Sequence, residues 1–263
     1  MMNFRTILSH AIAATPLAYF PVRVRAGPAR GAKWTLAPFS YNWRCGGEND
    51  LAPSLARLSN PTGAVCWDFG AHFGIHTVGM AMCVGPTGQV ASFEPDPGAF
   101  RRLKYHVEKN QLSNVCLFQA AVSNRTGSLK LITTHGLGSS MSHFQYEDEE
   151  ISEHTPTLEV ATVIPDDLVS GGQIRAPDLI KVDLQGHGAK ALEGSMKSIR
   201  AKRPIIIFSN HSEWELGGTR SLLEPLGYGA FNLKGDPMEW EDLDTASSYA
   251  EAGLLLPIAR PNS

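Results

Sequence analysis

The sequence predicts a doubly wound α/β fold: a Rossmann-like sheet over residues 61–263, preceded by a helix and hairpin extension over 1–60. Three observations carry this expectation. Short apolar runs closed by an acid or a polar residue recur from Ala64 onward, as in Ala64–Phe69, Gln89–Phe93, Asp178–Asp183 and Pro204–Phe208. Segments of helical period alternate with them, and the turns between are short and rich in glycine and proline. Such alternation implies right-handed crossovers and a parallel sheet.

Composition agrees with a single large domain. The 263 residues are 43% hydrophobic and 19% charged, enough apolar matter for a sizeable core and too little charge for a disordered chain. Net charge is −3, which argues against a nucleic-acid partner, but residues 1–50 hold six basic and two acidic side chains. Cys45, Cys66, Cys83 and Cys116 lie far apart without metal-ligand spacing, which excludes a zinc ribbon or a disulfide scaffold and suits a reducing cytoplasm. No metal site is expected. Ile7–Phe20 is apolar-leaning but interrupted by His10, Thr15 and Pro16, and is shorter than the roughly 20 residues of a membrane span. It reads as a short helix ending at Pro16.

The elements follow in order. Val22–Arg25 and Lys33–Leu36 read as a hairpin, Tyr41–Gly47 as a loop, and Glu48–Leu58 as a helix with Leu51, Leu55 and Leu58 on one face. After Asn60-Pro-Thr-Gly63 come strand Ala64–Phe69, helix Ile75–Val84, strand Gln89–Phe93, helix Gly98–Asn110 and strand Val115–Val122. Ser128–Thr133 and Leu158–Val163 are strands around a polar loop, whose acid run Glu147–Glu150 and neighbouring Gly136–Ser142 suit a solvated segment or an acceptor lid. Strand Asp178–Asp183, helix Ala189–Arg200, strand Pro204–Phe208, helix Thr219–Leu226 and strand Ala230–Leu233 complete the series.

In a doubly wound sheet, ligands bind beyond the carboxyl ends of the strands. The residues there are Asp68, Glu94, Ala121, Asp183 and Ser209. Asp68-Phe-Gly-Ala-His-Phe-Gly74 follows a strand and opens a helix, so Gly70 and Gly74 let the backbone turn tightly and approach a ligand. Glu94 ends the next strand, 26 residues after Asp68, where a carboxylate can accept from both hydroxyls of a ribose. The two features together point to an adenosine-containing ligand. A dinucleotide site needs a middle glycine where this chain has His72, and a P-loop needs Gly-Lys-Ser/Thr. S-adenosylmethionine suits the pattern instead: its amino-acid tail can use helix-start amides and strand-end acids.

At this point the sequence resembles the FkbM family of S-adenosylmethionine-dependent methyltransferases, over about Trp34–Leu233. The matching blocks are Trp67–Thr77, Phe93-Glu-Pro-Asp-Pro97, Ala120-Ala-Val-Ser-Asn124 and Leu179-Ile-Lys-Val-Asp-Leu-Gln-Gly186. The resemblance implies a class I methyltransferase fold and transfer of a methyl group to oxygen, on sugars or secondary metabolites. It further implies that Asp68, Gly70, Ala71, His72 and Gly74 line the methionine end of the cofactor. Glu94 and Pro95 would hold the ribose, Ala121 and Val122 would border the adenine, and Asp183 would face the reaction centre. Gln185 and Gly188 stand where the family has acids, and Ser209 where it has a glutamate. A metal or carboxylate-cluster mechanism is thereby disfavoured, while cofactor binding is not.

A hydroxyl acceptor benefits from a general base, and Asp183, His187 and His211 are the candidates, in that order. Asp183 also suits helix capping or the cofactor ammonium. Trp67, Phe69 and Phe73 read as packing residues, and His76 as a packing or capping one. The expected partner is a small molecule or glycan bearing a hydroxyl. Alternatives are a cofactor-binding protein without turnover, suggested by Gln185, Gly188 and Ser209, and a nucleotide-dependent oxidoreductase, disfavoured by the glycine spacing.

Overall fold

A computed structural model describes residues 20–35, 50–133, 142–144, 152, 154–243 and 252–258. The expected N-terminal helix, the loop at 41–47 and most of the polar segment at 134–153 lie outside the described residues. Antiparallel strands β1 (Pro21–Arg23) and β2 (Lys33–Thr35) form the hairpin, followed by helix α1 (Leu51–Leu55). The main chain then runs β3 (Val65–Phe69), α2 (Ile75–Val84), β4 (Gln89–Phe93), α3 (Pro97–Lys109) and β5 (Val115–Phe118). It continues through β6 (Ala121–Val122), β7 (Gly127–Ile132), β8 (His143–Phe144), β9 (Thr157–Val163) and α4 (Pro165–Ser170). The last stretch comprises β10 (Leu179–Val182), α5 (Gly188–Glu193), α6 (Met196–Lys202), β11 (Ile205–Phe208), α7 (Glu213–Leu223), β12 (Tyr228–Phe231), β13 (Pro237–Met238) and β14 (Gly253–Pro257).

The central sheet has the order β13-β12-β14-β11-β10-β3-β4-β5. Strands β5, β4, β3, β10 and β11 are parallel, and β14 runs antiparallel between β11 and β12. From β3 the chain winds outward through β4 and β5, then returns to β10 on the other side. The switch point therefore falls between β3 and β10, which locates the ligand crevice.

Alternation along the strands sorts the core. Trp67, Phe69, Phe93, Ile180, Val182 and Phe208 point to one face, under α5, α6 and α7. Cys66, Val90, Leu179 and Ile207 point to the other, under α1 and α2. This second face contains the polar exceptions. The register sets Lys181 of β10 and Ser92 of β4 beside Asp68 of β3, so three polar side chains sit together beneath α2.

Three expectations are corrected, and one strand is added. Val115–Val122 is two strands, because Ala121–Val122 leaves the main sheet to pair in parallel with Thr162–Val163 of β9 in a second sheet of order β6-β9-β7-β8. Ala189–Arg200 is two helices, because the Asp166 carboxylate of α4 accepts from the Lys197 and Ser198 amides (2.7 and 3.0 Å) and starts a new helix there. Helix α7 begins at Glu213, not Thr219, with the Ser212 hydroxyl capping the Glu215 amide at 3.1 Å. The added strand, β14, completes the sheet between β11 and β12.

Candidate active site

The turn after β3 is built by backbone bonds to the neighbouring strand. The amides of Gly70 and Ala71 both donate to the Phe93 carbonyl (3.1 and 3.0 Å). Gly70 has φ +78°, and a β-carbon there would collide with the main-chain carbonyl of Asp183, so only glycine fits. His72 adopts φ +49°, a left-handed conformation costly for a residue with a side chain, and its ring stacks on Phe73 at 3.9 Å. The His72 amide is aimed at Glu94 Oε2 (2.7 Å), and the Asp96 amide at Glu94 Oε1 (2.8 Å). The expected ribose acid thus lies against the glycine bend. Burial pushes its carboxyl up to about 7, with the two amide bonds opposing. Pro95 follows, buried, and Asp96 then caps α3.

Beneath the turn lies a buried polar centre that sequence reasoning did not assign. Lys181 is 2% exposed; its ammonium donates to the Gly70 carbonyl (2.9 Å) and lies 3.6 Å from Asp68 Oδ1 and 3.5 Å from Asp183 Oδ2. Asp68 is fully buried and accepts from the Thr77 hydroxyl through Oδ2 (2.6 Å), while its Oδ1 has no hydrogen-bond donor. One lysine therefore ties the glycine turn to the acids that end β3 and β10. A lysine inside an otherwise apolar buried run was the available signal, since such a side chain is almost never buried unpaired. On the same helix, His76 pairs with buried Asp50 (2.9 Å), an ion pair where packing or capping was expected.

Beyond β10, Asp183 and His211 meet. Asp183 Oδ1 accepts from His211 Nε2 at 2.9 Å, and each side chain is about one-quarter exposed (25% and 26%). Burial disfavours the Asp183 carboxylate, but the Lys181 ammonium and the His211 bond outweigh it and hold the carboxyl well below its usual range. Burial likewise favours a neutral His211 ring, but the bond and charge of Asp183 reverse that and hold the imidazole above its usual range. Gln185, at φ +49°, approaches both partners at 3.5 Å. The buried Glu215 carboxylate accepts from the amides of Gly188 (2.7 Å) and His211 (2.9 Å), joining the starts of α5 and α7. A β-carbon on Gly188 would lie 2.5 Å from Glu215 Oε1, so this carboxylate occupies the space a side chain at 188 would need.

The remaining expected residues lie elsewhere around the rim. His187 Nε2 faces the Ser123 hydroxyl (3.2 Å), and its ring packs near Phe144; burial, with Lys190 and Arg125, lowers its pKa to about 4. It does not join the Asp183–His211 pair. Ala121 and Val122 are fully buried, the first in the core of the second sheet and the second in that of the main sheet. Gly74 begins α2, packed against Leu103. Ser209 continues β11, its amide donating to Val182.

Comparison with known proteins decides what this arrangement belongs to. The methyltransferase FkbM domain model matches residues 68–229, from the first acid of the glycine turn to the start of β12. The chain belongs to the FkbM methyltransferase family. Hexuronic acid methyltransferase AglP of Haloferax volcanii is 25% identical over 187 residues, which cover 67% of this chain and 69% of the relative. The 2-O-methyltransferase NoeI of Sinorhizobium fredii is 26% identical over 141 residues, 50% of this chain and 56% of its own length. The fold matches that of methyltransferase FkbM from Methylobacillus flagellatus, with a TM-score of 0.50 and 16% identity over 84% of this chain. The match spans about half (51%) of that protein. In this FkbM domain, the family blocks at 67–77, 93–97 and 179–186 converge on one rim of the sheet.

Proposed function

We propose that this FkbM domain is an S-adenosylmethionine-dependent O-methyltransferase acting on a hydroxyl of a sugar or secondary metabolite, with His211 as the base and Asp183 as its orienting partner. One observation carries the reading: the 2.9 Å Asp183–His211 pair stands at the carboxyl end of β10, across from the glycine turn.

The residues present fit the cofactor. Asp68 Oδ1 is buried without a hydrogen-bond donor, its cation being the Lys181 ammonium at 3.6 Å, so it keeps acceptor capacity for the ammonium of an amino-acid tail. Glu94 spends one lone pair of each oxygen on a backbone amide, and the remaining pairs suit two ribose hydroxyls. When bound, S-adenosylmethionine supplies a methyl group already activated by its positive sulfur.

The chain's residues then have to position the acceptor and remove its proton. With Nε2–H donating to Asp183, the Nδ1 lone pair of His211 is the basic site. Asp183 fixes this tautomer, as the orienting acid of a triad does, and its low pKa makes it a poor proton acceptor itself. A placed base of this kind contributes about 10²–10⁴-fold. The names of AglP and NoeI support a sugar acceptor and transfer to oxygen.

The test is incubation with labelled S-adenosylmethionine and a panel of neutral sugars, hexuronic acids and glycans. Alkali-stable label on a sugar hydroxyl is the expected result. Binding of S-adenosylhomocysteine with no product across the panel would support the non-catalytic alternative, and tight binding of NAD alone would overturn the cofactor assignment.

A further inference from the structure

Charge on this molecule is segregated. Residues 20–35 hold four basic side chains and no acid, and residues 97–110 hold four basic side chains and one acid. These two short segments carry a net charge of +7 in a chain of net −3, leaving −10 for the remainder. The fold welds them into one surface. The main chain of Lys33 and the side chain of Asn110 exchange two hydrogen bonds (2.7 and 2.8 Å), and Trp34 stacks on His106 at 3.6 Å. Seven of the eight basic residues are exposed; the eighth, Arg102, lies 5.2 Å from the Phe73 ring, so the patch reaches the edge of the glycine turn.

The apolar complement on this face decides the partner. Phe20 is 55% exposed at the head of β1, three residues from Arg23. The sequence before it is apolar-leaning, and no acid occurs before Glu48. Exposed aromatic groups beside basic ones suit the interface of an anionic bilayer. Nucleic acid fits less well, because apart from Phe20 the rings named on this face do not form an open stacking row: Trp34 is 1% exposed, and the Lys109 ammonium lies over Tyr105 at 5.2 Å. We propose that the hairpin–α3 face docks the protein on an anionic lipid surface, its cations over headgroup phosphates and Phe20 in the interfacial layer. This does not depend on the reaction proposed above.

The experiment is flotation of the full chain with vesicles of phosphatidylcholine alone or mixed with phosphatidylglycerol. Binding is expected only with the mixed vesicles, and is expected to fade as salt shortens the Debye length from about 10 Å at 0.1 M toward about 3 Å at 1 M. Arg30→Glu with Lys104→Glu should weaken it at least about tenfold, and Phe20→Ser should weaken it severalfold, with unchanged circular dichroism and S-adenosylhomocysteine affinity. Phe20→Ser, a change at an exposed site, keeps the test decisive if the charge-reversed chain misfolds. Equal binding to both vesicle types would overturn the proposal. So would absence of vesicle binding alongside tight binding of an RNA oligonucleotide.

Discussion

The main-chain carbonyl of Asp183 sits against the α-carbon of Gly70, in the space any other residue would fill with its β-carbon. The loop that carries Asp183 and the turn that would cradle the cofactor are therefore in contact through backbone, with Lys181 bonded to Gly70 beneath. Gly70→Ala should force both apart. A control is Gly172→Ala, at φ +70° with open space around it, which isolates the cost of the left-handed backbone at about 1 kcal/mol. Gly70→Ala should lower stability by clearly more than that control in denaturant melts, and should abolish S-adenosylhomocysteine binding by calorimetry. Equal losses in the two variants would remove the argument from close approach.

Glu94 links cofactor affinity to pH. Its folded pKa of about 7 lies above the ordinary 4.5, so folding favours its protonated form. Its stabilising contribution to the ligand-free protein is present below pH 4.5 and is lost as pH rises toward 7. Ribose hydroxyls favour the ionised carboxylate, so affinity for S-adenosylhomocysteine should rise through pH 7 as stability of the free protein declines. Calorimetry in buffers of differing ionisation enthalpy should register a proton released on binding. Glu94→Ala should abolish binding, and a near-normal affinity would refute the ribose assignment.

For the Asp183–His211 pair, the base must be neutral to work. Its pKa lies above the ordinary 6.5, so turnover should climb with pH, with a midpoint above 6.5. His211→Gln should lower kcat by about 10²–10⁴-fold, flatten that profile and leave S-adenosylhomocysteine affinity unchanged. Asp183→Asn should cost turnover and also stability. Its depressed carboxyl stabilises the fold above pH 3.8, a contribution lost as pH falls through the lower folded value.

Lys181→Met should be the most damaging change to the fold. It leaves Asp68, fully buried, and Asp183 without their shared cation, and breaking a buried pair costs about 3–5 kcal/mol. The deficit should shrink in acid, where protonation of Asp183 removes one of the orphaned charges. Denaturant melts at two pH values check this; a pH-independent deficit would mean that Lys181 acts by packing alone.

How much of this was legible follows from what each pattern encodes. Helix Ile75–Val84 and strand Gln89–Phe93 match the expected bounds because local apolar period and glycine punctuation define them. The proximity of Glu94 to the glycine bend was equally readable, since both end adjacent parallel strands. Register was not: Lys181 and Asp68 are 113 residues apart in sequence, and only the β3–β10 pairing sets them side by side. Nor was the division at Gln119, where β6 exchanges one sheet for another and takes Ala121 and Val122 inward. The Ser212-x-x-Glu215 spacing announces a helix start, yet Glu215 bonds the amides of His211 and Gly188 instead of the cap residue.

That carboxylate bears on the missing family acids. Gly188 stands where the family resemblance implies an acid, and Glu215, arriving from another helix, fills the space above it. Its charge is among the influences that hold the His211 pKa up. Glu215→Gln preserves most of the shape and one acceptor oxygen but removes the charge, so the turnover midpoint should move to lower pH while S-adenosylhomocysteine affinity stays constant. Glu215→Ala should additionally destabilise the fold by about 1–3 kcal/mol for each buried amide left without an acceptor. A pH–rate profile unchanged in Glu215→Gln would mean that this buried acid only pins the two helix starts together.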